Sequence, residues 1–468
     1  MTHALKTGDW ARCPTLLNWA LWCVVATLIM AGCTTTSQDH LTGLEAELRP
    51  VSAHLENGDQ DTPTLPGGRL EDYLTYAMKR SPALRASYEQ WRAEIAQVGS
   101  SDKWPEPTLS YGLFIRRVET RVGPQRHRFG LRQRLPWPNK LSASADVAAA
   151  GARAAQERFE AQALNLQRKV ADAWWRLWAI DQTRQIRREQ LLLLEQLSAS
   201  VRARLEIGQA NVSELNQLDL TLSRLADTLD ALDAHEQAAS ARLVSVIGAP
   251  VGTATPIAQE RAFAEALPRE DDQALLTMAE QHPKVQEQSM LMEQSRALKS
   301  RAEADRYPNV MLGLDYIETG ERTDATPEDN GKDAVLATIS VELPIWFDAY
   351  AAAERGAESL QRSRAAQRIA MKDEVQAQIL DAMAMLRDSH RRVGLFRDTL
   401  IPQAETTYAA VLGDYETGQA TIATMLLAYR DLLELRLGLI RAQADHAKAW
   451  VWLESVVGRP VQVRSATP

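Results

Sequence analysis

Gly208-Gln209-Ala210-Asn211-Val212-Ser213-Glu214-Leu215 is answered 210 residues later by Gly418-Gln419-Ala420-Thr421-Ile422-Ala423-Thr424-Met425. The glycine suits the left-handed end of a helix. Asn211 or Thr421 suits the cap of the next helix, and Glu214, three residues beyond Asn211, completes a capping box. Helices joined by so short a turn run antiparallel. Upstream, Asn139 to Ile207 contains no proline and one glycine, Gly151; helical throughout, that run is about 100 Å long. Downstream, Leu215, Leu218, Leu222, Leu225, Leu229 and Leu232 repeat at 3-4 spacing, a seam that holds one face against a partner helix. Met425, Ala428, Leu432, Leu435, Leu439 and Ala442 keep the same phase in the second copy.

The repetition extends outward from these turns. Ser81-Pro82 and His282-Pro283 lie 201 residues apart, as do Pro107 and Pro308, and Gly112 and Gly313. Pro136-Trp137 answers Leu343-Pro344-Ile345-Trp346 with the prolines 208 apart, and Gly248-x-Pro250 answers Gly458-x-Pro460 at 210. Landmarks in unbroken order, at an offset that grows only by small insertions, mark an internal duplication. The first repeat occupies 70–250 and the second 271–460, joined by a proline-bearing connection at 251–270 and followed by a tail at 461–468. Each repeat reads as a short helix, a proline, a second helix, two β-like runs, a very long helix, the turn and a last helix.

The β-like runs alternate. Leu109, Tyr111, Leu113 and Ile115 share one face, as do Phe129, Leu131 and Leu135, with Arg128, Gly130, Arg132 and Arg134 on the other. In the second repeat Val310, Leu312, Leu314 and Tyr316 alternate, then Val335, Ala337, Ile339, Val341 and Leu343. Runs of this length fit tilted strands crossing a bilayer, and equally a soluble antiparallel hairpin. Spanning strands must close into a barrel. Two hairpins give four strands, fewer than the roughly eight of the smallest barrels. Spanning therefore requires several copies, and the strand count alone fits two or three. Arg128, Arg132 and Arg134 then face a barrel lumen, or else a solvated hairpin face.

The 468 residues carry a net charge of −8, which gives no reason to expect a nucleic-acid partner. Lys6 and Arg12 precede an apolar run from Leu16 to Met30, short and flanked like an export signal. It ends Met30-Ala31-Gly32-Cys33, which resembles a bacterial lipoprotein signal at 1–32 with Cys33 as the lipidated residue; an ordinary secretory signal is the alternative. Cys13, Cys23 and Cys33 are the three cysteines, so cleavage leaves one and no disulfide framework within a chain. Residues 33–69 read as a polar, lipid-anchored tether, loosely structured unless it packs on the body.

In this order and duplication the residues resemble the TolC-like outer-membrane efflux family over about 70–460. The stretch Gln133-Arg134-Leu135-Pro136-Trp137-Pro138-Asn139-Lys140 looks most like the heavy-metal efflux branch, except that Asn139 stands where glycine often precedes the lysine. The resemblance implies a mainly α chain with a small β part, trimerising into a twelve-stranded transmembrane barrel that continues into an α-helical coiled-coil barrel. It implies an outer-membrane channel subunit whose partners are a periplasmic adaptor and an inner-membrane pump of the proton-driven resistance-nodulation-division type. Gly208, Gln209, Ala210, Gly418, Gln419 and Ala420 become the periplasmic tips that meet the adaptor. Some relatives constrict the entrance with acidic rings beyond the second turn. Thr424 and Leu427 occupy those positions here, and Glu214 is the nearest acid beyond the first turn. A gate built from these three would use packing or other polar pairs.

No catalytic constellation emerges, and neither enzyme activity nor a cofactor or metal is expected. The eight histidines are scattered, and none has a second histidine at helical metal-ligand spacing. Trp174, Trp175 and Trp178 suit interhelical packing better than a ligand site. The competing readings are a lipid-anchored periplasmic adaptor and a structural coiled-coil lipoprotein without a pore. An adaptor would show one hairpin rather than two.

Overall fold

A computed structural model describes residues 36–60, 67–257 and 266–463. The leader, Cys33, parts of the tether and of the connection, and most of the C-terminal tail lie outside the described residues. In chain order the elements are α1 (Thr36–Gln60), α2 (Leu70–Arg80), α3 (Pro82–Val98), β1 (Thr108–Thr120), β2 (Gly123–Leu135), α4 (Pro138–Glu206) and α5 (Val212–Ile247). The second repeat supplies α6 (Asp272–Met278), α7 (Pro283–Ala304), β3 (Asn309–Thr319), β4 (Ala334–Glu342), α8 (Phe347–Leu395), α9 (Ile401–Glu416) and α10 (Ile422–Val457). Pro82, Pro138 and Pro283 each open a helix, where a missing N–H leaves no bond unmade.

Two departures from the sequence reading have physical causes. The stretch expected as a loose tether is largely helix α1. Leu41, Leu44 and Leu48 form an apolar stripe along it, and Leu44 is buried. Ser37 fixes its start, donating from its backbone N and its Oγ to the Asp102 carboxylate at 3.0 and 2.7 Å. The second departure is in the long helix of the second repeat, which is not uniform. A π-helical turn, Phe396–Leu400, separates α8 from α9, just before Pro402, which cannot donate its backbone hydrogen bond. The Phe396 ring packs on α10 at Gly438, where a Cβ would come within 2.8 Å of it. The first repeat keeps one unbroken helix, α4, over the corresponding length.

The chain divides into two compact units. One contains residues 94–152 and 293–361 with the start of α1. Its centre is a single antiparallel sheet in the order β1-β2-β3-β4, so β2 and β3 join the two repeats edge to edge. Alanines fill the helix contacts beneath it: Ala145 and Ala152 are fully buried. Lys140 Nζ donates to Asn309 Oδ1 at 3.2 Å, and Trp137 stacks on Tyr307 with centroids 5.3 Å apart. These are again contacts between the repeats.

The other unit contains residues 48–93, 153–292 and 362–463 of the described chain. Here the first repeat buries Tyr73, Leu84, Trp91, Val170, Leu177, Leu243 and Ile247. The second buries a matching cluster that includes Leu275, Val285, Ile379, Leu386, Leu453 and Val457. Full burial of each such side chain contributes about 2 kcal/mol. Gly248 ends α5 with φ +75°, and a Cβ there would lie 2.7 Å from the Arg80 carbonyl. That close approach ties the last helix of the repeat to its Ser81-Pro82 landmark.

Candidate functional site

The first candidate surface is the sheet. Its register sets Tyr111 against Phe129 and Leu109 against Leu131. It sets Phe129 against Tyr316 and Leu131 against Leu314, and Tyr316 against Val335 and Leu312 against Ile339. Every alternating apolar position therefore falls on one face, continuous across both repeats. That face is not covered within the chain: Leu109, Ile115 and Ile339 are 77, 92 and 75% exposed. Aromatic rings stand on it. Tyr111, Phe129 and Tyr316 form a row with centroids 5.2 and 6.5 Å apart. At the other end of the strands Trp104, Trp137, Tyr307, Trp346 and Phe347 are all exposed. From Phe129 to Trp137 is about 26 Å along an extended chain. Apolar bands of transmembrane barrels have a similar height and are flanked by aromatic girdles.

The opposite face is polar. Arg128 donates from Nε and Nη2 to the two carboxylate oxygens of Asp315, at 3.0 and 2.9 Å. Arg134 Nη2 lies 2.8 Å from Glu342 Oε1. Arg132 is exposed on the same face, directly opposite Gly313. All three sequence-predicted arginines thus share one surface. The alternation revealed that surface, but not the carboxylates from β3 and β4. Asp315 stands on the parity opposite to Val310, Leu312, Leu314 and Tyr316, and that was the available signal.

The second candidate surface is at the turns. Gly208 and Gly418 have φ +74° and +77°. Gln209 N donates to Arg204 O at 2.8 Å, and Gln419 N to Asp414 O at 2.7 Å. The caps form as expected: Asn211 Oδ1 accepts from Glu214 N at 2.9 Å and Thr421 Oγ1 from Thr424 N at 3.2 Å. The capping box differs in one respect, because the Glu214 carboxylate receives the Asn211 side-chain amide, at 3.4 Å, rather than its backbone N–H. The two turns are held together by a core of Leu194, Val201, Leu218, Leu225, Tyr415, Ile422 and Met425. Arg204 reaches across it, its guanidinium 5.5 Å from the Tyr415 ring centre and Nη1 3.4 Å from the phenol oxygen. Burial pushes the Tyr415 phenol above its ordinary pKa. The sequence reading missed this Arg204–Tyr415 pair, which follows no repeat offset.

The three candidate constriction residues do not form one group within the chain. Glu214 faces the first turn, its carboxylate receiving the Asn211 amide. The Thr424 hydroxyl is engaged with Thr421 at 3.0 Å. Leu427 lines a groove of about 440 Å³ with Arg187, Gln217, Arg224, Arg430 and Glu434. Trp174, Trp175 and Trp178 are buried edge to face along α4, and Trp174 Nε1 donates to Gly68 O at 3.1 Å. They pack, and do not line an opening. Among the described residues no three His, Cys, Asp or Glu side chains group so as to hold a metal, and no helix is long and apolar enough to cross a membrane.

A duplicated pair of helical hairpins carrying one shared four-stranded sheet, apolar on one side and charged on the other, defines the architectural class. The family described as "Outer membrane efflux protein" matches residues 275–459, the second repeat. The outer membrane efflux protein BepC of Brucella suis biovar 1 (strain 1330) is 23% identical over 291 residues, 61% of this chain and 62% of that one. The chain's match thus spans a little under two thirds of that relative. The fold is shared with VceC of Vibrio cholerae, at a TM-score of 0.68 and 16% identity over 84% of this chain and 97% of that one. It is shared also with the open state of the MtrE outer membrane channel of Neisseria gonorrhoeae, at 0.69 and 16% over 85% and 91%. The second repeat thus matches the outer membrane efflux family, and the chain as a whole has the fold of these outer-membrane channels.

Proposed function

We propose that this chain is the channel subunit of a tripartite efflux system, seated in the outer membrane and passively conducting solutes outward. The observation that carries the reading is the sheet. It has a continuous exposed apolar face and two unpaired edges, β1 and β4. Open edges are not tolerated in hydrocarbon, so the strands close only by pairing with further copies. Three copies give a twelve-stranded barrel, the size the family resemblance implies, with Arg128, Arg132 and Arg134 turned to its lumen. The hairpin turns at 208–210 and 418–420 would meet a periplasmic adaptor, and a proton-driven inner-membrane pump of the resistance-nodulation-division type would supply the cargo. Glu214, Thr424 and Leu427 would lie near the entrance, and Cys33 would carry a lipid anchor. The narrower reading of the cargo as heavy-metal cations rests on the stretch 133–140.

Purified full-length protein tests this in two measurements. Its mass in detergent is expected to be that of three chains, and planar bilayers containing it are expected to show discrete conductance steps. A monodisperse single chain that leaves bilayers silent overturns the reading and favours a pore-free lipoprotein.

A further inference from the structure

The arginines on the polar face of the sheet are not equivalent. Asp315 is 2% exposed and lies flat on the sheet between two of them. It can do so because Gly130 stands directly opposite: a Cβ there would come within 2.5 Å of Asp315 Oδ1. Arg128 closes on this carboxylate with both arms of its guanidinium, so its charge is neutralised where it sits. Arg134 meets Glu342 through one contact, Nη2 to Oε1 at 2.8 Å, on the more open part of the face. Arg132 lies over Gly313, where a Cβ would be 3.6 Å from its Cγ. Among the described residues no carboxylate pairs with it. Of the three arginines on this stretch of the face, Arg132 is the one with no carboxylate at ion-pair distance, although its charge also attracts the Asp315 carboxylate. Beyond this stretch the two hairpin ends carry opposite excesses: the β3–β4 loop holds Glu321, Asp324, Glu328, Asp329 and Asp333 against Arg322 and Lys332, and the β1–β2 end holds Arg116, Arg117, Arg121 and Arg126 against Glu119, with Arg121 and Asp329 joining the two.

We infer that Arg132 gives the bore a preference for anions over cations, and that Asp315 and Glu342 set its strength by cancelling Arg128 and Arg134. The inference rests on the channel reading, since only a barrel of several copies turns this face into a lumen. Symmetry then makes Arg132 a ring. A ring of like charge within low-dielectric walls focuses its field along the path. Cargo that is neutral or anionic passes such a ring more readily than a free metal cation.

The test is the reversal potential of single channels under a KCl gradient near 0.1 M, where screening extends only over about 10 Å. The wild type is expected to pass chloride in preference to potassium. Arg132→Gln removes one charge from every copy and should lower the chloride-to-potassium permeability ratio by at least about threefold to fivefold, the effect of even a single unit charge at a few ångströms in water. Asp315→Asn, which releases Arg128, should raise it. In 1 M KCl both differences should collapse. A potassium preference in the wild type, or a ratio unmoved by Arg132→Gln, overturns the inference while leaving the channel intact. Protein that conducts no ions at all overturns the channel reading itself, and the inference with it. Arg132 is exposed and makes no ion pair, so its replacement leaves the fold's contacts in place.

Discussion

His282 shows how a single side chain is conscripted by the fold. Its Nδ1 accepts from Lys284 N at 3.1 Å, so the ring proton sits on Nε2, which faces Ser455 O at 3.2 Å. The ring thereby joins the start of α7 to the end of α10, and it is 4% exposed. A second proton on Nδ1 would point at the Lys284 N–H. Burial, with the nearby Lys284 charge, holds the imidazole below its ordinary pKa. The unfolded chain therefore binds the proton more readily than the folded one, and the stabilisation by His282 is complete above about pH 6.5 and lost as pH falls. We expect the apparent Tm, followed by helical circular dichroism, to drop less between pH 7 and pH 5 in His282→Asn than in the wild type. A parallel fall in both proteins would show that this ring stays neutral in neither state. The His-Pro landmark was visible as a repeat signal, but the staple was not. Its partners lie 173 residues away at Ser455 and two residues on at Lys284, in the first turn of α7.

At the scale of elements, the 3-4 seam of α5 reads through to packing. Leu218 and Leu225 are buried, with Leu215, Leu222 and Leu229 against the same core. In α10 the predicted seam holds at Met425, Leu432 and Ala442, but Tyr429, Leu433 and Leu437 are buried as well. Its apolar surface is too wide for a two-helix contact, and α10 is covered from more than one side. Sequence periodicity identifies the face of a helix that must be buried; it does not count the neighbours that bury it. The same limit explains α1, whose leucine stripe was masked by polar flanks, and the π turn, where Pro402 signals a break without stating its form. Leu218→Ala should destabilise the purified protein by about 3 kcal/mol in urea unfolding, because the site lies between hairpins and closes poorly over a cavity. Ser223→Ala, on the exposed side of the same helix, should change it by under about 0.5 kcal/mol. Equal losses from both would place the seam elsewhere.

For the whole molecule, the two faces of one strand distinguish a membrane wall from a soluble hairpin, a choice that period-two alternation leaves open. Ile339 and Ser340 are neighbours on β4 and point to opposite sides, Ile339 with Leu312 and Ser340 with Met311. Both are exposed in the single chain, so in a soluble hairpin a lysine at either position meets water. In a barrel the positions diverge. Ile339 faces hydrocarbon, where a lysine near mid-depth costs about 2–4 kcal/mol. Ser340 faces the hydrated lumen, where the same charge stays solvated. Because every copy carries the substitution, the cost at Ile339 is incurred once per chain in the assembly. We therefore expect Ile339→Lys to reduce sharply the yield of assembled protein in outer-membrane fractions, while Ser340→Lys assembles near the wild-type level. Equal yields would mean that the apolar face never meets lipid. The reverse order would mean that the sheet closes with its arginines outward, which the bidentate burial of Asp315 on that side argues against.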